Sequence, residues 1–430
     1  DLPRNNESIL IKKESDDSFV FEPHYETNPD KKKVIAELKA AVKESDAIYL
    51  ASDPDREGEA IAWHLKEVLA PYATGKKFNR ITYNEVTPSA VRRALEEPRE
   101  INMDIVDAQQ SRRILDRLVG YKVSPLLWQN IKCPNNKTLS AGRVQSVALR
   151  LLVERQREIE AFDSKVFFVM AVEAKKRDTK ETFTAKLSRF DGKKPEIGDR
   201  QIVDNVLLDL ADASLEVDDI ADRPKQRNPF PPFTTSTLQQ SASSFLGFSP
   251  DKTMRLAQEL FEKGKISYHR TDSINISPEA SRQAKEYIVG TFGPEYAPDK
   301  VNTAKGKASK MKIQAAHEAI RPAIHRGIFE TPAEVESNGD LSVQHVKLYT
   351  LIWNRFIASQ MSPAKTVVTT VSLKPVKNGL HHEYIFTASK TSVLFDGFLK
   401  VWAAKLKEDD KEDSDEVKSL PELKVGEELE

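Results

Sequence analysis

Near its N-terminus the chain alternates between short apolar runs and segments of helical length. Residues 47–52 form an apolar run of strand length, and residues 78–86 alternate as a second strand would. A helix is predicted after each of them, at 58–69 and at 88–95, the second capped by Thr87-Pro88. This order at this spacing predicts a parallel α/β unit, because parallel strands need a crossover between them.

The rest of the chain divides into helical and strand-rich stretches. Residues 1–30 are polar and weakly patterned, and residues 223–232 are polar and proline-rich, which indicates a linker or a crossing strand. Helices are predicted at 31–43, 104–162 (interrupted by a loop at 132–137), 203–211, 235–246, 250–263, 276–293, 314–325 and 341–360, and strands within 166–217 and 365–390. At 430 residues the chain is too long for one ordinary core, so two to four domains are expected.

Charge is unevenly distributed along the chain. The formal net charge is only −1, but residues 109–153 hold eight Lys/Arg against one acid, and residues 223–270 hold eight against three. Residues 407–430 hold eleven acids against four Lys. An acidic tail therefore hides two basic stretches that could bind phosphate, although such runs are also common on solvated surfaces.

Cysteine content and hydropathy exclude several protein classes. The single cysteine, Cys133, excludes a disulfide framework and a thiolate zinc site, and suits a reducing cytoplasm. No apolar run approaches the roughly 20 residues of a membrane span. Residues 1–10 lack the apolar segment of a signal peptide, so a cytoplasmic protein without membrane contact is expected.

The first strand of the α/β unit is followed by three carboxylates at alternate positions, Asp53, Asp55 and Glu57. Sites in α/β folds lie at the carboxyl ends of parallel strands, and hard oxygen ligands suit Mg²⁺. Acids also favour helix N-termini through capping and the helix dipole. Capping explains one or two of these acids, and less easily all three.

A second candidate site is the segment ISYHRTDS at residues 266–273. The hydroxyl of Tyr268 could attack phosphorus and hold the broken strand as a phosphotyrosine. Arg270 would share a face with Tyr268 in an extended segment and could hold the phosphate oxygens in two-point contact. From these residue types alone, a tyrosine that simply packs on a strand is the more common reading.

Taken together, these segments resemble the type IA DNA topoisomerases. DPDREGEAIAWH (53–64) is similar to the metal motif of their Toprim domain, and ISYHRTDS to their active-site tyrosine motif. Other segments that resemble family segments are QQSRRILDRLVGYKVSPLLW (109–128), LSAGRVQSVALRLLVERQREI (139–159), PFTTSTLQQSAS (232–243) and AAHEAIRP (315–322). The resemblance covers nearly the whole chain in order, and the match over 109–159 favours the topoisomerase I branch over topoisomerase III. Reverse gyrase is disfavoured because no helicase nucleotide motif is visible.

The resemblance implies a role for each matching residue. Tyr268 would form a 5′-phosphotyrosyl bond, Arg270 would stabilise the scissile phosphate, and Asp53, Asp55 and Glu57 would hold Mg²⁺. The residues implied to contact DNA are Arg112, Arg113, Asp116, Ser140, Arg143 and Gln145 in a single-strand groove, Tyr121 as a stacking ring there, and His317 with Arg321 near the active site.

The implied fold is multidomain, α/β and α+β. It comprises a Toprim-like α/β domain (1–100), a helical groove segment (101–165), the first part of a mixed β gate domain (166–227), a mostly helical domain with the tyrosine (228–355) and the second part of the gate (356–430). The implied activity is relaxation of negatively supercoiled DNA by a monomer that acts on a single-stranded segment of underwound duplex. No ATP is needed because the phosphotyrosyl ester conserves the bond energy, and no Gly-x4-Gly-Lys-Ser/Thr loop occurs.

Three departures from the family pattern and two alternatives bear on this reading. By this resemblance the chain would start just after the strand that carries a catalytic Glu in the family and would stop before the closing DNA-binding segment. The general acid is therefore unassigned, and the chain alone is expected to be weakly active or inactive. His269 follows the tyrosine where an apolar residue is more usual. Another Toprim enzyme, a primase or nuclease, would share the acids but has no reason to carry Tyr268-x-Arg270. A non-catalytic DNA-binding module would bind DNA in a salt-sensitive way without forming a covalent product.

Overall fold

The computed structural model describes residues 2–3, 8–132, 139–179, 181–298, 318–402, 416–417 and 419–430. The chain forms two compact units, Asp1–Asp163 and Ser164–Glu430. These units are coarser than the five domains expected from the sequence, whose boundaries remain predictions.

The first unit opens with a hairpin that the sequence did not predict. Strand β1 (Ile9–Lys13) pairs antiparallel with β2 (Phe19–Pro23). Both strands are largely exposed, and large side chains such as Leu10 and Phe19 are more than half exposed. Ile9 is the one buried residue of the two strands, so the hairpin lacks the alternation of apolar and polar residues by which strands are recognised.

The α/β part of the first unit follows this hairpin. Helix α1 (Lys32–Glu44) leads to β3 (Ile48–Leu50), and helix α2 (Arg56–Leu69) then crosses to β4 (Phe78–Arg80). Strands β3 and β4 are parallel, which confirms the predicted unit. A small apolar core joins the helices to the strands and consists of Val42, Ile48, Leu50, Ala62, Leu69 and Ala73.

The other helices of the first unit are α3 (Pro88–Glu96), α4 (Met103–Asn130) and α5 (Arg143–Glu160). As predicted, the Thr87 side chain caps α3 by accepting a hydrogen bond from the backbone of Ala90. No residue of α5 is buried.

The second unit is built on a sheet and a group of helices. Among the described residues, the sheet has six strands: β5 (Ala171–Lys175), β6 (Thr182–Phe190), β7 (Ser214–Arg227), β10 (Ala364–Val376), β11 (Tyr384–Phe395) and β12 (Glu428–Leu429). Their order across the sheet is β12-β7-β10-β11-β6-β5. Helix α6 (Arg200–Leu210) packs its buried Val203 and Val206 into the core of this sheet. The first part of the polar stretch 223–232 is a crossing strand, because Arg223–Arg227 completes β7 and pairs with β10.

The helices of the second unit are α7 (Thr235–Leu246), α8 (Pro250–Glu262), α9 (Pro278–Phe292), α10 (Pro332–Ser337), α11 (Val343–Ser359) and α12 (Leu399–Trp402). Helix α7 starts with a capping box between Thr234 and Thr237. It ends at Gly247, whose φ of 64° lies in the left-handed region that glycine adopts without steric cost. These local signals explain why the predicted bounds of α7 agree with the structure.

One predicted helix is wrong over its described part. Residues 314–317 lie outside the described residues, but residues 318–325 are extended: Ile320 bridges Phe233, Pro322 bridges Ile266, and β8 (Ile324–His325) pairs with β9 (Ile328–Phe329). Pro322 has no backbone N–H to give to a helix. The neighbouring N–H and C=O groups bond instead to segments that are distant in sequence, which a local pattern does not reveal.

Candidate active site

Residues 53–57, which include Asp53, Asp55 and Glu57, form what we call the acidic turn. This turn is folded tightly against the start of α2. Asp55 is the N-cap of this helix, and its side chain accepts a hydrogen bond from the Gly58 N–H at 2.8 Å. The Ser52 hydroxyl donates to the Gly58 carbonyl at 2.6 Å. A Cβ atom on Gly58 would lie 2.0 Å from the Asp53 carbonyl oxygen, so the turn has room for glycine alone.

A buried arginine holds the backbone of this turn. The side chain of Arg80, at the end of β4, is fully buried. It donates to the carbonyl oxygens of Leu50, Ser52, Asp53 and Ile81 and to the carboxylate of Glu59, at 2.7 to 3.0 Å. The guanidinium therefore fixes where β3 ends and where the acidic turn begins.

The partner of Arg80 is Glu59, which is also buried. It accepts from Arg80 at 3.0 Å, from Arg99 at 2.6 and 2.8 Å, and from the backbone N–H of Asn102 at 2.7 Å. Burial alone would raise the pKa of Glu59, but the hydrogen bonds from Arg99, Asn102 and Arg80 outweigh it and lower the pKa to about 2. The sequence analysis missed both members of this pair. Arg80 is a charged residue at the end of a short strand, and such a position could have indicated a buried ion pair.

The three predicted metal ligands differ in exposure. Asp53 and Asp55 are half-buried, whereas Glu57 is exposed and accepts a 2.8 Å hydrogen bond from Gln109 Nε2. Within the part of the chain that the structure describes, no three His, Cys, Asp or Glu side chains converge as a metal-binding group. The donors fit a hydrated Mg²⁺, since this ion prefers oxygen ligands, takes one or two carboxylates and keeps several waters. They do not form a closed cage of three carboxylates.

A cavity of about 800 Å³ opens beside Glu57 along helix α4. It is lined by Glu57, Gln109, Arg112, Arg113, Asp116, Arg117, Gly120, Tyr121, Ser124, Pro125, Trp128, Ser140 and Ala141. Five of the seven predicted groove residues of the first unit are among them. We call this cavity the groove.

The other two predicted groove residues each contact a lining residue. Arg143 Nε donates to Asp116 Oδ1 at 2.9 Å, and Gln145 Nε2 donates to Ser140 Oγ at 3.1 Å. The hydrogen bond to Asp116 raises the pKa of the Arg143 guanidinium. The start of α5 is thereby joined to the middle of α4.

Like charges and aromatic rings are close together in the groove. Burial, together with the charge of Arg117, lowers the pKa of Arg113. The Arg117 guanidinium lies 4.7 Å from the centre of the Tyr121 ring, a cation–π distance. Trp128 adds a second ring that is 53% exposed, and its indole N–H donates to the Leu139 carbonyl. Sequence reasoning missed Arg117 and Trp128, which their spacing from Tyr121 on one helix could have indicated.

In the second unit, the start of the tyrosine segment pairs with Arg321 and Pro322. Ile266 bridges Pro322, the Ser267 N–H donates to the Arg321 carbonyl at 2.8 Å, and the Arg321 N–H donates to Ser267 Oγ at 2.9 Å. Two stretches that resemble different family motifs are therefore hydrogen-bonded to each other directly before Tyr268.

Tyr268 and Arg270 differ sharply in exposure. Tyr268 is only 3% exposed, and its ring centre lies 5.3 Å from that of Phe261, whereas Arg270 is exposed. The expectation of a shared face on an extended segment is not met, because pairing stops at Ser267 and the chain bends at His269 and Arg270.

The bend is held by the first residue of α7. Thr235 Oγ1 donates to the His269 carbonyl at 2.8 Å and accepts from the Thr271 N–H at 2.9 Å. The Thr235 N–H also donates to the Thr271 carbonyl at 2.8 Å. This clamp explains why the threonine-rich start of α7 lies beside the tyrosine segment.

The two remaining predicted DNA contacts belong to the second unit. His317 lies outside the described residues. Arg321 is 4% exposed, and its guanidinium donates to Glu318 at 2.7 Å and to the Pro322 carbonyl at 3.0 Å. In this structure Arg321 is thus a buried neighbour of the tyrosine segment.

Two families match successive parts of the chain. Residues 9–86 match the Toprim domain, and residues 100–430 match the DNA topoisomerase family. The chain belongs to the bacterial type IA DNA topoisomerase family. Its Toprim and topoisomerase regions together account for the multidomain mixed α/β fold.

Two relatives illustrate the likeness. The chain is 42% identical to DNA topoisomerase 1 of Haemophilus influenzae over 395 residues, which are 92% of this chain and 43% of that protein. It resembles the structure of full-length topoisomerase I from Thermotoga maritima with a TM-score of 0.75 and 36% identity, covering all of this chain and 64% of the other. The chain therefore spans less than two thirds of either relative.

No helix among the described residues combines the length and the hydropathy that a membrane crossing requires.

Proposed function

We propose that this chain carries the DNA-cleavage chemistry of a type IA topoisomerase. Tyr268 Oη attacks a backbone phosphorus, the O–P bond to tyrosine forms, and the bond from phosphorus to the 3′ oxygen breaks. The phenol loses its proton and the leaving 3′ oxygen gains one, and the group that supplies this proton is unassigned. Reversal of these steps reseals the strand without ATP, because one phosphodiester has replaced another.

The observation that carries this proposal is the groove. It places the basic side chains of Arg112 and Arg113 and the ring of Tyr121 in one cavity with Glu57 of the acidic turn. Cations that track a phosphate backbone, combined with a ring for stacking, are the features of single-strand binding sites. A strand held there would run beside carboxylates that suit Mg²⁺.

Each predicted residue then has a proposed role. Carboxylates of Asp53, Asp55 and Glu57 would hold a hydrated Mg²⁺, which would neutralise phosphate charge. Arg112 and Arg113 hold phosphates, Tyr121 stacks on a base, and Asp116, Ser140, Arg143 and Gln145 keep the groove in shape through their mutual hydrogen bonds. Arg270, exposed at the bend, reaches the scissile phosphate.

For Arg321 we propose an indirect role. Its guanidinium is occupied by Glu318, and its backbone pairs with Ser267 next to the nucleophile. It would therefore position the tyrosine segment instead of holding DNA. His317 remains a prediction as a DNA contact.

The burial of Tyr268 bears on the mechanism. A ring that is 3% exposed must become accessible before it can attack a phosphate. We propose that an opening of the surrounding segments, of the kind that strand passage also requires, uncovers the hydroxyl.

The substrate would be a single-stranded segment of underwound duplex. The enzyme would act as a monomer in the cytoplasm. Since the chain spans 43% of its Haemophilus relative, we expect weak relaxation, or none, from the chain alone.

Covalent trapping tests the proposal. A single-stranded oligonucleotide labelled at its 3′ end is incubated with the chain and Mg²⁺, and the protein is then denatured with detergent. Label should comigrate with the protein, because a 5′-phosphotyrosyl bond retains the downstream fragment. It should vanish in Tyr268→Phe and persist in the control Tyr287→Phe, a tyrosine of α9 that packs on Trp353.

Two results would contradict the proposal. An adduct that survives in Tyr268→Phe would assign the nucleophile elsewhere. DNA binding without any adduct in the native chain would favour a non-catalytic DNA-binding module.

A further inference from the structure

The residue that joins the acidic turn to the groove is Gln109 of helix α4. Its Nε2 donates to Glu57 Oε2 at 2.8 Å, and it is 6% exposed at one end of the groove. The family motifs gave this glutamine no role, since the implied DNA contacts begin at Arg112. It lies between Glu57, a candidate metal ligand, and the groove.

The contact belongs to a two-point attachment of α4 to the acidic turn. Glu59 accepts from the backbone of Asn102, which caps α4, and Glu57 accepts from Gln109 seven residues later. Seven residues are about two helical turns, so both contacts lie on one face of α4. The first contact anchors the start of the helix, and the second reaches the carboxylate that could hold the metal.

The chemistry of an amide suits the second contact. Arginine or lysine in the same place would neutralise Glu57 and compete with a cation. The amide of Gln109 is neutral, so it can orient the carboxylate and leave its negative charge in place. It contacts one carboxylate oxygen and leaves the other for a ligand.

The orientation of the amide follows from the same contact. A carboxylate only accepts hydrogen bonds, so the nitrogen of Gln109 must face Glu57 and the oxygen must face away. Gln109 Oε1 is buried and has no hydrogen-bond partner among the described residues. A buried acceptor without a partner is unfavourable, so the hydrogen bond from Nε2 to Glu57 is what holds the amide in this orientation.

We propose that Gln109 is a positioning residue for the metal site: it orients Glu57 through Nε2 and leaves the negative charge of the carboxylate in place for the ion. The proposal rests on the function proposed above, since it takes the acidic turn to be the Mg²⁺ site. Residues that orient metal ligands through such bonds commonly change metal affinity by about 10- to 100-fold when they are replaced.

Metal binding without DNA tests this inference. Mn²⁺, a paramagnetic substitute for Mg²⁺, is titrated into the 430-residue chain, and the free ion is counted by electron paramagnetic resonance. Gln109→Met keeps the length of the side chain and removes the amide. It should raise the dissociation constant for Mn²⁺ at least tenfold, at the site that Glu57→Gln also weakens. Gln109→Asn, which is one methylene too short to reach Glu57, should do the same and guards against misfolding of the first variant. The control Gln129→Met, an exposed position on α4, should leave the constant unchanged.

The decisive comparison uses the Glu57→Gln background. If Gln109 acts through Glu57, Gln109→Met should have no further effect there. An equal loss in both backgrounds, or no loss in either, overturns the inference. If Glu57→Gln itself leaves Mn²⁺ binding intact, the metal site is elsewhere and the inference falls with that assignment. A Tyr268-dependent adduct together with unchanged Mn²⁺ binding in Gln109→Asn would leave the cleavage proposal standing and reject only this one.

Discussion

The substitution Glu59→Gln tests whether the buried ion pair sets the conformation of the acidic turn. The carboxylate of Glu59 is 2% exposed and accepts hydrogen bonds from Arg80, Arg99 and Asn102. Glutamine has the same shape, but it carries no charge and presents an NH₂ group to donors. It therefore leaves the fully buried Arg80 without its anionic partner.

The loss of stability in Glu59→Gln follows from the pKa of Glu59 and from the usual cost of breaking a buried ion pair. The pKa of Glu59 falls from an ordinary 4.5 to about 2, which corresponds to about 3 kcal/mol of stabilisation. Breaking a buried ion pair by removing one partner costs about 3–5 kcal/mol. The side chain of Arg99 is 40% exposed, so solvent screens its share. We therefore expect a loss near the lower value, about 3 kcal/mol.

Hydrogen exchange measures the loss locally, which matters in a chain of two units. At neutral pH, amides in peptides covering residues 48–60 should exchange roughly a hundredfold faster in Glu59→Gln than in the native chain. Peptides from the second unit should be unaffected. The control Glu67→Gln, an exposed acid on α2, should change neither.

The pH dependence has a definite sign. A carboxyl whose pKa is lowered by folding stabilises the protein above its unfolded pKa, and this contribution is lost as pH falls through the folded pKa. The difference between Glu59→Gln and the native chain should thus be complete above about pH 4.5 and shrink towards pH 2, the pKa to which Glu59 is lowered. Equal exchange in both proteins at neutral pH would refute the reasoning, as would a difference that grows on acidification.

Two further substitutions test the surroundings of the candidate catalytic residues. Gly58→Ala places a Cβ 2.0 Å from the Asp53 carbonyl oxygen, so the acidic turn must shift. We expect weaker Mn²⁺ binding and a lower melting temperature of the first unit. An unchanged Mn²⁺ titration would contradict the conclusion that the turn has room for glycine alone. Thr235→Val removes the hydroxyl that donates to the His269 carbonyl, which should destabilise the bend by about 1–3 kcal/mol. Formation of the covalent adduct should fall, while the affinity for the oligonucleotide stays unchanged. Faster hydrogen exchange confined to residues 266–272 would show that the clamp was lost. Native exchange in those peptides would mean that the clamp does not hold the bend.

Local sequence patterns alone determined several features of the protein. The order of β3, α2, β4 and α3 follows from apolar periodicity and capping residues, which act within a few residues of each other. The acidic turn, the tyrosine segment and the basic stretch of α4 could be identified because each lies in a long motif, and these motifs follow one another in the order found in the family.

The side chains that support these sites come together only when the chain folds. Arg80 and Glu59 are 21 residues apart, and Gln109 lies 52 residues from Glu57. Thr235 is 34 residues from the His269 carbonyl that it bonds. Folding brings each of these side chains to its hydrogen-bond partner. Because the pairs are buried or partly buried, the loss of one partner would destabilise the protein.

The failed helix at 314–325 has the same physical origin. Its described residues are extended because the backbone of Arg321 pairs with Ser267, and a helical pattern cannot compete with that non-local ladder next to Pro322. Local sequence patterns therefore identify the chemical groups that the protein carries and the helices and strands that present them. Their neighbours, and the buried conformation of Tyr268, were decided by the tertiary structure, because hydrogen bonds and burial between distant segments leave no periodic trace in the sequence.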